Sequence, residues 1–493
     1  MTMKLHPASE AAVLNEESFH APYLAENIRP GDFLKAEVAV HGTSVFKPFQ
    51  VWRISPLGIE LVMNAQTGFD FTQRLDLLIK YGDSVVSHRG LVVSKTNQEN
   101  GRSLCAIRWI NEVDTSKRSQ EKRSSQRWLC GAEYLPTGVA TNPLRFNDFI
   151  HFRILELSKS GMRLKTSLRN KLIVPGMQLE GMITFPLVGQ ANVVFEAVSP
   201  RIAREDGKDY LELGCKFVGA SKRLLDLIGQ YLFQFGPSVS PDELRKEQLY
   251  VGTVNPAITF SNVRTEEEYR KVLELRRLAW ISAGKFTGEI AAEKFADAYD
   301  ARARILTASY KGEIIASLRL VFPQENEKLE HEQYIELPPG LPRMDELVEI
   351  TRVVVHPDFR GIDLLYLLFK QTALTCIQAG KRYILGNSEK SLLPMYRKLG
   401  FEVLPVEFEI EKLGIRPSLF LGDVHKAVAG IGVNPLVWNF MYSELVQFMS
   451  TNDLMRFGPS ANIRMATFRL FKPLTSFLIG RMKGGKKKSK KRS

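Results

Sequence analysis

Residues 348–370, VEITRVVVHPDFRGIDLLYLLFK, carry a carboxylate and a guanidinium three residues apart, Glu349 and Arg352. A basic turn punctuated by Pro357 and Gly361 follows. Arg360, Gly361, Ile362 and Asp363 lead into Leu364, which opens an apolar repeat at helical spacing. A loop that enters a helix in this way aims several backbone N–H groups in one direction, and the helix dipole adds positive potential. That arrangement holds phosphate. A second set lies upstream. Arg123 and Arg127 bracket RSSQR, and Glu156, Ser158 and Gly161 follow as E-x-S-x-x-G. Two guanidinium groups can clamp a phosphate bidentately, which lysine does poorly.

The elements that must position these residues differ along the chain. From Arg29 to about Val113, and again over 128–220, short β-branched runs alternate with Gly, Asn and Asp, as strands and turns do. The two stretches look like one unit repeated. VWRISPLGIEL carries Ser55, Gly58 and Leu61; ILELSKSGMRL carries Ser158, Gly161 and Leu164 at the same spacing, 103 residues on. Asp206-Gly207 and Lys311-Gly312 predict hairpin turns. Residues 222–235 predict an amphipathic closing helix, and 237–247 a linker. From Thr259 the texture changes. Residues 265–279 predict a helix with a Thr265–Glu268 capping box. Strands and helices then alternate, including a short helix over 391–399 and strands FEVLP and EFEI, which argues for an α/β layer domain. Residues 411–480 read as mostly helical.

Composition narrows the classes. At 493 residues the chain is too long for one core. The four cysteines (Cys105, Cys130, Cys215, Cys376) stand far apart and form no metal-ligand spacing, so buried thiols in a reducing compartment are expected and no metal is. The first 18 residues lack the apolar core of a signal peptide, and no apolar run is long enough to span a bilayer. Net charge is +13, but residues 481–492 hold eight Lys/Arg and no acid, leaving +5 (13 − 8) elsewhere. The basicity belongs to the tail, and a nucleic-acid partner is not indicated. Residues 464–480 are apolar with three cations and precede this tail. The pairing suits attachment to an anionic membrane surface through 464–493; a packed C-terminal helix with a solubilising tail is the alternative.

The R-x-x-x-R and E-x-S-x-x-G pattern resembles the PilZ family of small β-barrels that bind cyclic di-GMP. The resemblance covers 117–237 and implies that Arg123, Arg127, Glu156, Ser158 and Gly161 hold the nucleotide, the arginines also stacking on guanine. Glu156 departs from the family's Asp or Asn. Residues 28–115 carry Arg53 at that position and no R-x-x-x-R, and resemble a degenerate PilZ-like partner expected to dock without binding nucleotide.

The strand–loop–helix of 348–370, with YRKLGF at 396–401, resembles the acyl-CoA-binding core of GNAT N-acyltransferases. The resemblance assigns donor contacts to Val353, Val355, Arg360, Gly361, Ile362, Asp363 and Leu364. Asp363 and Leu365 replace small residues of the family pattern; Asp363 makes a good helix N-cap but brings negative charge to an anion site. The E-x-T-R segment 349–352 and the stretch EKFADAYDAR (293–302) resemble N-acyl amino acid synthases and acyl-homoserine-lactone synthases. That implies a donor thioester on acyl carrier protein phosphopantetheine or on CoA. Attack of an amine on a thioester needs a base, an oxyanion stabiliser and an acid for the thiolate. Glu349 is the base candidate, directly or through water. Arg352 either binds an acceptor carboxylate or pairs with Glu349. Tyr396 falls where the family places the acid, or else packs in the core. His356 reads as a loop residue.

The expected fold is therefore multidomain. After a leader (1–27) come two all-β PilZ-like barrels (28–115 and 117–237), an α/β GNAT-like acyltransferase domain (250–425) and a helical, basic C-terminal extension (426–493). The expected function is a cytoplasmic, cyclic di-GMP-responsive N-acyltransferase at the inner face of the cell membrane. The alternative is a non-catalytic effector whose GNAT-like domain only binds an acyl-carrier, membrane or protein partner.

Overall fold

Alternating apolar residues build the N-terminal half of the chain from strands that close on themselves. The computed structural model describes residues 26–27, 34–64, 74–82, 84–98, 102–110, 125–286, 288–324, 327–361, 363–410 and 414–472. Arg123, Ile362 and the polybasic tail lie outside the described residues. The chain divides into two compact units, 1–239 with 243–251, and 240–242 with 252–493.

In the first unit, β1 (Glu26–Asn27), β2 (Leu34–Val40), β3 (Lys47–Ser55), β4 (Gly58–Asn64), β5 (Arg74–Tyr81), β6 (Ser84–Asn97) and β7 (Arg102–Trp109) form one antiparallel sheet. Its order is β1-β3-β2-β5-β6-β7-β4, and β3 also pairs with β4, so six strands close into a barrel. A second sheet holds β8 (Trp128–Leu129), β9 (Thr137–Thr141), β10 (Phe149–Leu157), β11 (Gly161–Ser167), β12 (Gln178–Phe185), β13 (Gly189–Glu205) and β14 (Lys208–Phe217). Its order is β11-β14-β13-β12-β9-β10-β8, with β10 also paired to β11. Helix α1 (Lys222–Phe235) is capped by Ser221 and buries Leu224, Ile228, Tyr231 and Leu232. Asp206-Gly207 makes the β13–β14 turn with both residues at positive φ, the geometry of a type I′ hairpin.

The internal repeat holds at the level of register. Val51↔Leu61, Arg53↔Glu60 and Ile54↔Ile59 in the first sheet become Ile154↔Leu164, Glu156↔Arg163 and Leu157↔Met162 in the second, and the same bulge interrupts both. The cross-strand ion pair is preserved with its charges exchanged. Arg53 Nε donates to Glu60 at 2.7 Å, and Arg163 Nη2 donates to Glu156 at 2.9 Å. The two sheets share an apolar cluster that joins Leu77 and Ile79 to Val174 and Met177. Gln178 N–H donates to Tyr81 Oη at 3.0 Å across that junction.

Helix α2 (Pro241–Lys246) precedes the second unit. That unit comprises β15 (Ile258–Asn262), α3 (Glu266–Ser282), β16 (Ala303–Tyr310), β17 (Glu313–Val321), β18 (Leu347–Val355), α4 (Leu364–Gln378), β19 (Tyr383–Ser388), α5 (Leu393–Lys398), β20 (Phe401–Glu407), β21 (Ser418–Asp423) and helices α6 (Val424–Val428), α7 (Pro435–Met441), α8 (Ser443–Thr451) and α9 (Pro459–Arg469). The sheet order is β15-β16-β17-β18-β19-β21-β20. The Thr265–Glu268 capping box that starts α3 is present. All neighbours are antiparallel except β18 and β19, which are parallel and joined through α4.

Two local readings differ. Residues 418–423, read as part of a helical stretch, form β21 between β19 and β20; a six-residue apolar run does not by itself distinguish strand from buried helix. EFEI forms no strand beyond the end of β20, only a bridge from Ile410 to Ile415. The C-terminal helices pack back on the α/β core. Trp438 is buried with its indole N–H on Val428 O (2.8 Å), and Tyr442 Oη–H reaches Leu399 O (3.2 Å).

Candidate functional site

A cleft opens where the two parallel strands part. β18 and β19 are in register from Leu347–Tyr383 to Ile350–Gly386 and no further. A bulge in β18 then sets two residues, Arg352 and Val353, between the pairings of Thr351 with Arg319 and Val354 with Ser317. Arg352 sits at φ +52, in the left-handed region that non-glycine residues seldom occupy. Strain of this kind costs roughly 1–3 kcal/mol and persists where surrounding contacts enforce it. The cleft has a volume of about 570 Å3. Its walls combine Ile350, Val353, Val355, Leu392, Met395 and Phe420 with the polar groups of Glu330, His331, Arg352, Arg360 and Asn387. Among the described residues no group of three or more His, Cys, Asp or Glu could hold a metal ion.

Arg352 is fixed by three neighbours and does not pair with Glu349. It donates to Asp297 at 2.7 Å, approaches Glu330 at 3.2 Å, and lies over the Trp280 ring at 5.2 Å. These partners belong to a larger network. The buried Arg276 forks onto Asp300 (2.7 and 2.9 Å). The buried Arg319 joins Asp297, Asp300 (2.9 Å), Glu330 (2.6 Å) and Thr351 Oγ1 (3.0 Å). Three cations thus meet three carboxylates. Burial pushes the Asp300 carboxyl up, but hydrogen bonds and charge from Arg276 and Arg319 outweigh it and hold the group well below its ordinary range. Asp297 is lowered in the same way by Arg319 and Arg352.

Glu349 stands behind the cleft wall, fully buried. Its carboxylate accepts the backbone N–H groups of Glu330 (2.8 Å) and His331 (2.9 Å) and contacts His331 Nδ1. Burial raises its pKa, and the His331 ring with the two backbone donors lowers it further than burial lifts it. Both carboxylate oxygens are engaged by protein groups, and Glu349 itself does not line the cleft. His331 does line it, and its Nε2 lies 2.8 Å from Asn387 Nδ2.

The loop into α4 departs from expectation at two positions. Asp363 occupies the N-cap position of α4 but makes no capping bond. Its carboxylate accepts from Thr253 Oγ1 (2.9 Å) and Val254 N–H (3.2 Å), at the start of the same unit, and it does not line the cleft. Leu364 is buried in the core; Leu365 and Tyr366 line the cleft instead. Arg360 lines the cleft, with Nη2 on Ala279 O (2.9 Å) near the end of α3. Gly361 takes φ +77, the left-handed turn that glycine permits at little cost. Val353 and Val355 face the cleft as expected. Tyr396 lines the cleft and also packs in the core, stacked on Phe420 at 4.1 Å. Burial drives its pKa upward, keeping the phenol protonated.

In the first unit, Glu156 lies between Arg163 (2.9 Å) and the half-exposed Arg127 (3.8 Å). Ser158 is buried, and its hydroxyl is used within its own turn, accepting from Ser160 and Gly161 N–H and donating to Gly161 O. Ser55 closes the matching turn in the same manner. Gly161 faces backbone, not open space: a Cβ there would meet Cys215 O at 2.1 Å. Serine and glycine therefore build the turn, and Arg127 and Glu156 are the side chains presented beside it.

Sequence reasoning missed His331 and Asn387, which sit in stretches without a motif. Arg276 and Arg319 carried a readable signal, a cation in the apolar phase of a helix and of a strand. Such a residue is buried only when paired.

Residues 271–420 match the family described as N-acyl amino acid synthase FeeM. The second unit thus carries an N-acyl amino acid synthase-like acyltransferase fold. Among solved structures, FeeM, an N-acyl amino acid synthase from uncultured soil microbes, aligns at 11% identity over 37% of this chain and 98% of its own, with TM-score 0.30. MesI, a CoA-dependent acyl-homoserine lactone synthase, aligns at 21% identity over 36% and 96%, with TM-score 0.26. MrkH, a c-di-GMP-dependent transcription regulatory factor, aligns at 14% identity over 40% and 85%, with TM-score 0.19. No curated protein sequence matches the chain.

Proposed function

We propose that the second unit transfers a fatty acyl group from a phosphopantetheine thioester, on acyl carrier protein or CoA, to the amine of an amino acid. The observation that carries this reading is the cleft between β18 and β19. Strands that stop pairing at Ile350 and Gly386 leave main-chain groups able to bind the amides of an extended pantetheine arm, as an added strand would. The loop into α4 offers N–H groups and a positive dipole end to phosphate. The apolar wall of Ile350, Leu392, Met395 and Phe420 suits an acyl chain. Arg352 and Glu330, 3.2 Å apart and both lining the cleft, form a frame for a zwitterion, carboxylate to guanidinium and ammonium to carboxylate. Tyr396, held protonated, is the group that can return a proton to the departing thiolate.

The first unit supplies control in this reading. Arg127 beside the E-x-S-x-x-G turn offers a guanidinium to a cyclic dinucleotide, which would displace it from Glu156. Arg123 belongs to the same reading and lies outside the described residues. Calorimetry with cyclic di-GMP tests this half: the full chain should bind and Arg127→Ala should lose about tenfold or more, whereas equal binding removes Arg127 from the site. Mass spectrometry of lipid extracts from expressing cells tests the transferase. N-acyl amino acids should accumulate with the intact chain, and their absence would overturn the assignment.

A further inference from the structure

We infer that His331 is the proton acceptor for the attacking amine and that Glu349 is its positioning residue. The inference rests on the acyl-transfer reading above and goes beyond it by naming the base.

Four observations converge. His331 is buried yet lines the cleft. Its Nδ1 faces the Glu349 carboxylate. Its Nε2 faces the Asn387 amide nitrogen at 2.8 Å. Its backbone N–H is also anchored on Glu349, at 2.9 Å. A carboxylate cannot donate, so Nδ1 must carry the ring proton. An amide N–H cannot accept, so Nε2 carries the lone pair. The neutral ring is therefore locked in the one tautomer that can take a proton on its cleft side. A carboxylate behind an imidazole also stabilises the imidazolium once it forms. Glu349 itself has no route to the substrate, because backbone donors and the ring occupy it.

The step balances. As the acceptor displaces the Asn387 contact, Nε2 takes a proton from the ammonium, and the lone pair so freed forms the C–N bond at the thioester carbon while the carbonyl pair moves to oxygen. Collapse restores C=O and breaks the C–S bond. The thiolate takes the Tyr396 proton, the second N–H proton passes through solvent to the phenolate, and the imidazolium releases its proton to solvent, so one proton is set free per amide formed.

A base is needed for an amine that must lose a proton as it attacks, and matters far less for a nucleophile that is already neutral and strongly reactive at pH 7. The full chain is given palmitoyl-CoA and either hydroxylamine or the best acceptor found by screening the twenty amino acids. His331→Gln and Glu349→Gln are compared with the unaltered chain; the glutamine amide can donate to Nδ1 and so favour the wrong tautomer. Each should lower kcat/KM for the amino acid by about 10²–10⁴ and slow hydroxylamine acylation by less than about tenfold. Two variants are used so that a fold defect in one leaves the other informative. Equal loss with both nucleophiles would make the pair structural and overturn the inference. Unchanged amino-acid transfer in His331→Gln would also overturn it. If the unaltered chain acylates no amine at all, the acyl-transfer reading itself falls.

Discussion

The residues that decide this site are buried charges whose partners are fully specified. Arg276 is 0% exposed and lies in a bidentate pair with Asp300, while Arg319 bridges three carboxylates. Removing one partner of a buried pair costs about 3–5 kcal/mol when the other charge is left unpaired. After Arg276→Met, Asp300 keeps Arg319 (2.9 Å) and Tyr269 Oη (2.8 Å), so the second unit should lose less than that, about 1–3 kcal/mol, read from denaturant unfolding. No measurable change would mean that these two partners fully replace Arg276. The same logic separates what sequence revealed from what it hid. Glu349, Arg352 and Tyr396 were legible because a motif marks them. The place of His331 in the cleft was not, because it is set by a carboxylate eighteen positions away and by an amide on another strand. The four cysteines contribute no chemistry to the cleft; burial pushes Cys376, for example, up to about 12, and alkylating reagents should leave the folded protein unmodified there.

At the scale of elements, two turns do work that their residue types disguised. Ser158 and Gly161, which the sequence offers as nucleotide contacts, also fasten β10 to β11, as Ser55 and Gly58 fasten β3 to β4. Gly161→Ala would drive a Cβ against Cys215 O and should destabilise the first unit by about 1–3 kcal/mol, whether or not nucleotide is present. Nucleotide binding is therefore better probed at Arg127. Asp363 is the second case. It was legible as the start of α4, but its carboxylate ties that helix to Thr253 and Val254 instead of capping it. Asp363→Ala leaves the buried Val254 N–H without that acceptor, at about 1–3 kcal/mol, and should loosen the donor loop. A raised KM for the acyl donor with little change for the acceptor is the expected signature; an equal effect on both would point to general unfolding. The repeat of β3–β4 in β10–β11 was visible from spacing alone, whereas the exchanged ion pair required the register.

For the whole molecule, acid sensitivity follows from the network. Asp297, Asp300 and Glu349 all have folded pKa values below their ordinary 3.8 and 4.5, so the unfolded chain binds more protons as pH falls. Their stabilisation is present above those ordinary values and is lost as pH drops through the lower folded ones. Circular dichroism should report the second unit stable near neutrality and losing stability progressively below about pH 4. Retained stability at pH 2 would contradict the depressed values. Among the described residues no helix is long and apolar enough to cross a membrane. Acyl transfer to an amino acid can be read from a single reaction. The purified full chain is incubated with palmitoyl-acyl carrier protein or palmitoyl-CoA and the twenty amino acids, with and without cyclic di-GMP, and products are followed by mass spectrometry. N-palmitoyl amino acids should form with at least one donor, at a rate that changes with cyclic di-GMP. Free fatty acid alone under every condition, with no acylated amine, would contradict the account.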